Sequence, residues 1–101
     1  MKDEAAPPIS QHYDRPLGLA LAEMQEDVRE AWRTRYAIQG DAEQRALAVL
    51  TRAEATLQAA SKPATIRTVW MLLADRASTS SDADTKAAAA LAGMAMGLQP
   101  T

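Results

Sequence analysis

The chain has 101 residues, of which 48% are hydrophobic and 24% charged, with a net charge of −2 and no cysteine. That length supports one domain at most, and the apolar content excludes an intrinsically disordered chain. The charge argues against broad electrostatic capture of nucleic acid, and the missing cysteines remove disulfides, thiolate metal ligands and thiol nucleophiles.

There is no Phe, there are two Trp and two Tyr, and Ala is the commonest residue. Alanine favours helix but buries little area, so the helices must pack closely or complete their core with a second copy or another partner. Arg far outnumbers Lys and Asn is absent. With the abundance of Ala, this is the codon bias expected of a GC-rich bacterial genome or a phage.

Residues 1–15 contain Pro7, Pro8 and mixed charges without an apolar period. They predict a flexible N-terminal arm, with Ile9 and Tyr13 as its candidate anchors, ahead of a single helical domain over 16–98. The arm has no apolar h-region, and no apolar run is long enough to span a bilayer, so a cytoplasmic protein is expected.

The first helix is predicted from Pro16 to about Gln39. Pro16 suits a first turn, Asp14 is near enough to help cap it, and Gly40 suits the left-handed stop. Leu17, Leu21, Met24, Val28, Ala31 and Trp32 share one face at 100° per residue. Asp41 is expected to cap a second helix to about Ala60, with a stripe of Ala46, Val49, Leu50, Ala53, Leu57 and Ala60. The short connection makes these two helices antiparallel neighbours.

Pro63 sits where a third helix would open, and Ile66, Val69, Trp70, Leu73 and Ala77 share its apolar face. The polar stretch 78–84 is a loop, and Ser81 with Asp84 resembles a capping box for a fourth helix. That helix carries Lys86, Leu91, Met94 and Leu98, with a row of small residues at Ala89, Gly93 and Gly97 that permits close packing. The prediction is an all-α protein, a small four-helix bundle with a flexible N-terminal arm.

Catalytic chemistry finds no home in this inventory. The one imidazole, His12, lies in the arm. Asp82 and Asp84 lack the glycine and distal Glu of a calcium loop, and the four glycines form no phosphate cradle. The acidic residues Glu23, Glu26, Asp27 and Glu30 spread around a helix as a solvated face. No catalytic residue, metal site or cofactor is therefore expected.

Recognition is the class left standing. Arg29, Trp32, Arg33, Arg35 and Tyr36 cluster near the end of the first helix, and Arg, Trp and Tyr are the types enriched at interface hot spots. Met71 and Leu72, partly off the face of the third helix, form a second candidate surface. The expected function is a non-enzymatic protein–protein interaction module, a small accessory or regulatory protein that binds a protein partner or forms a homo-oligomer.

The alternative is a DNA-binding regulator. Ala64-Thr65-Ile66-Arg67-Thr68-Val69 resembles the opening of a helix-turn-helix recognition helix, with Thr65, Arg67 and Thr68 as contacts. The resemblance is confined to residues 53–73. Thr56 stands where a small residue is wanted, Ala60 replaces the turn glycine, and Pro63 intrudes.

Overall fold

The computed structural model of the chain describes residues 14–98. These form five helices: α1 (Leu17–Ala22), α2 (Glu26–Arg35), α3 (Ala42–Ala59), α4 (Ile66–Thr79) and α5 (Ala83–Ala95). The all-α bundle expected from the periodicity is what the chain adopts, and no helix among the described residues is long and apolar enough to cross a membrane. Ile9, His12 and Tyr13 lie outside the described residues.

α5 organises the fold. It packs against each of the other four helices, most extensively against α4. Ala87, Ala88, Ala89, Leu91, Ala92 and Gly93 are all buried, so this helix is covered on most of its circumference. Small side chains make that arrangement work, because several helices can approach one Ala-rich axis closely. Leu50, Ile66, Val69 and Leu73 converge on it to complete the core.

The long first helix expected over 16–39 is instead two. The break falls at Glu23–Gln25, where Gln25 adopts an extended conformation (φ −71°, ψ 148°). Neither Gly nor Pro marks this point, and the apolar stripe keeps its register on both sides. Tertiary contacts decide it. Leu17 and Ala20 are buried where α1 meets α4 and α5, while Trp32 must reach Ala87 of α5. A straight helix would place Trp32 about 22 Å along a line from Leu17; the break lets the two pieces wrap around α5 instead.

α1 is tied to the start of α4 by backbone. The Ile66 N–H donates to the Arg15 carbonyl at 2.9 Å, and Pro16 forms an isolated antiparallel bridge with Thr65. Asp14 does not cap α1. Its carboxylate pairs with Arg67 at 2.8 Å, and Pro16 takes the cap position.

α2 ends at Arg35 because Ala37 takes the left-handed conformation (φ 52°), and the Ile38 N–H closes back on the Arg33 carbonyl at 2.9 Å. Gly40 (φ 58°), the expected stop, turns the chain into α3 instead. α2 then lies against α5 rather than side by side with α3. It meets α3 at that helix's first turn, through ion pairs to Glu43.

Two expected caps also move. Asp41 stands at the start of α3 but uses its carboxylate on Arg45 rather than on a backbone N–H. At α5 the cap is Asp82, which accepts from the Thr85 N–H at 2.9 Å, while Asp84 pairs with Arg45 at 3.3 Å. α4 opens at Ile66, with a reciprocal capping box between Thr65 and Thr68. Pro63 precedes it in the loop, and its carbonyl accepts from the Thr68 hydroxyl at 2.7 Å.

Candidate protein-binding groove

The cluster predicted on α2 divides into different jobs. Trp32 is fully buried, and its indole N–H donates to the Ala87 carbonyl at 2.9 Å. It therefore belongs to the core and offers no surface to a partner. A buried indole satisfied in this way removes both the desolvation cost of its N–H and a large apolar area from water.

Arg29 and Arg33 are engaged as well. Arg29 Nε donates to Glu43 Oε2 at 2.7 Å, and Arg33 Nε to Glu43 Oε1 at 3.1 Å. Arg33 reaches Glu26 too, at 3.0 Å. Partial burial pushes the Glu43 carboxyl upward, but the hydrogen bonds and charges of Arg33 and Arg29 outweigh it and hold the group below its ordinary range. These residues clamp α2 to α3. Arg35, placed on the apolar stripe by the wheel, is exposed because α2 begins after a break and ends at this residue.

The helix-turn-helix candidates are similarly occupied. The Thr65 and Thr68 side chains are turned to the backbone of their own helix start, and Arg67 pairs with Asp14.

Tyr36 has a different setting. It flanks a groove of about 480 Å³ between α4 and α5. A three-residue connection joins these helices, so the end of α4 lies beside the start of α5. Trp70, Ala74, Ala77 and Ser78 supply one wall. Lys86, Ala89, Ala90, Gly93 and Met94 supply the other, at the i, i+3, i+4, i+7, i+8 spacing of a single helix face. Leu98 closes the end near Trp70.

The floor is made of alanine and glycine, and the walls of aromatic and thioether side chains. At Gly93 a Cβ would stand 3.0 Å from Trp70 Nε1, so the missing side chain is what lets the indole lie there. Leu98 is brought to the groove by Gly97, whose φ of 86° turns the chain back so that the Leu98 N–H donates to the Gly93 carbonyl at 2.9 Å.

The second predicted surface sits beside this groove. Met71 is 56% exposed and lies one helical turn from Ala74 and two from Ser78, on the outer shoulder. Leu72 faces away from it, half-buried against the core.

The structure thus joins Tyr36 and Met71 to one region and separates them from Trp32, Arg29, Arg33 and Leu72. Sequence reasoning missed Trp70, Lys86 and Met94 as surface candidates. A signal was present: Ala89 and Gly93 mark a helix face that a neighbour can approach closely, though nothing local said that the place would be left open.

Comparison of the chain with protein-family models, with curated proteins and with solved structures finds no match. The groove is characterised by its own residues.

Proposed function

We propose that this chain is a small, non-enzymatic protein-binding module whose contact surface is the α4–α5 groove, with Tyr36 and Met71 on its margins. The observation that carries this reading is an open apolar groove that holds Trp70, Met94 and Leu98 in a protein otherwise short of large side chains. Aromatic and Met side chains in a concave, desolvated setting are the groups that dominate protein interfaces. Trp70 and Met94 pack against the core on one side only and stay partly exposed, while Leu50, Ile66, Val69, Leu73 and Leu91 are buried within it.

The test is site-specific crosslinking in host cells. A photoreactive phenylalanine analogue at Ala90, on the groove wall, is expected to give a discrete protein adduct. The same group at Arg52, on the exposed side of α3, is expected to give none. Equal labelling from both positions, or none from Ala90, would remove the groove from the reading.

A further inference from the structure

We infer that the groove's partner is an amphipathic helix with apolar side chains along one stripe and a carboxylate at the end that meets Lys86. This rests on the groove being the binding surface and adds what the surface selects.

Length is the first reason. Trp70 to Ser78 and Lys86 to Met94 are each eight residue steps apart, about 12 Å at the helical rise. Apolar anchors at i, i+3 or i+4, and i+7 of a partner helix cover about 10.5 Å, so two turns match the groove from end to end.

Shape is the second. Ala74, Ala77, Ala89 and Ala90 present nothing larger than a methyl group, which lets a third helix settle between α4 and α5 at ordinary interaxial spacing.

Charge is the third. Among the described residues no carboxylate lines the groove, although the chain as a whole is acidic. Arg15, Arg29, Arg33, Arg45 and Arg67 are each matched to a carboxylate, whereas Arg52, Lys62, Arg76 and Lys86 form no ion pair among the described residues, and of these four Lys86 is the one that lines the groove. At the opposite end the Trp70 indole N–H makes no hydrogen bond within the described chain and keeps contact with solvent. Both ends therefore offer donors and call for acceptors, with an apolar floor between them. An acidic amphipathic helix supplies that order of groups; a basic one would bring a like charge against Lys86.

The experiment is a display selection on the full chain. The library consists of 18-residue helix-forming peptides with apolar residues at i, i+3, i+4 and i+7 and random residues elsewhere. Enriched peptides are expected to carry Asp or Glu at one end of the apolar stripe. In NMR titrations they should move the Trp70 indole N–H signal and leave that of Trp32 in place.

Lys86→Glu should weaken such a peptide by about five- to tenfold, and replacing the peptide's acid with Lys should restore binding to that variant. Lys86 is exposed, so an unchanged melting temperature shows that the fold is kept, and Lys86→Gln should fall between the two. Peptides that move Trp70 without an acidic preference, or that ignore Lys86→Glu, would overturn the acidic helix while leaving the groove reading intact. If no peptide moves Trp70, or if Ala90→Glu leaves binding unchanged, the groove reading falls and the inference with it. Self-association that blocks the peptides would make a second copy of the chain the occupant.

Discussion

The two tryptophans show how differently one residue type is used in this molecule. Trp32 has no exposed surface, and its N–H is spoken for by the Ala87 carbonyl. Trp70 is half-buried, lies over Gly93, and its N–H makes no hydrogen bond among the described residues at the end of the groove. Both side chains meet α5. The first fills a gap that the alanines of α5 leave between it and α2; the second stands at the rim of a groove that none of the five described helices fills. In an Ala-rich protein a large side chain is scarce, and its surroundings decide whether it serves stability or recognition.

The largest effect is expected from Trp32→Ala. Removing the indole from the core and leaving the Ala87 carbonyl region unfilled should cost about 3–5 kcal/mol in urea denaturation. For a domain this small that is a large part of the total. A loss near that of an exposed site would break the contrast between the two indoles.

Trp70→Ala should cost less, about 1–2 kcal/mol, because only part of its surface is covered. It should abolish binding of any groove ligand. Equal destabilisation by the two substitutions would mean that Trp70 is core and that the groove is a packing defect.

The clamp that holds α2 over Trp32 makes a pH prediction. Glu43 has a folded pKa below its ordinary value of 4.5. Protonation is therefore taken up more readily by the unfolded chain, and the clamp's stabilisation is present above about pH 4.5 and lost as pH falls through the folded value. Melting curves between pH 6 and pH 3 should show this decline in the native chain. Glu43→Gln should lower stability at pH 6 and flatten the decline; an unchanged slope would remove Glu43 from the acid response.

The smallest change in stability is expected from Gly93→Ala. The methyl group would crowd Trp70 Nε1 and Cδ1, at 3.0 and 3.3 Å, and push the indole outward. The gain in helix propensity, about 1 kcal/mol, offsets that crowding. Stability should stay within about 1 kcal/mol of the native chain while the Trp70 indole signal shifts and groove binding weakens. An unmoved Trp70 signal would show that this contact does not set the ring's position.

Much of the fold was legible because helical periodicity is a local property. The stripe of Ala46, Leu50, Ala53 and Leu57 is buried as the wheel of α3 places it, and so are Ile66, Val69 and Leu73 of α4. The candidate site was legible only in part. Tyr36 and Met71 lie at the groove, but the wheel could not separate Trp32, which points inward, from Tyr36 four residues later. Nor could it tell that Arg29 and Arg33 would both be drawn to Glu43, since that meeting depends on the turn after α2.

The amino-acid sequence by itself determined that this chain would be helical, where most of its polar loops would fall, and which small-residue faces would permit close packing. These follow from propensity, capping chemistry and the 3.6-residue period, which act over a few residues. Only the tertiary structure decided that the first helix breaks at Glu23–Gln25, that α5 becomes the hub, and that the other described helices leave a groove along one side of the α4–α5 pair. Those outcomes depend on contacts such as Trp32 with Ala87, 55 residues apart, and on how many helices are at hand to cover one axis. No local pattern carries that information.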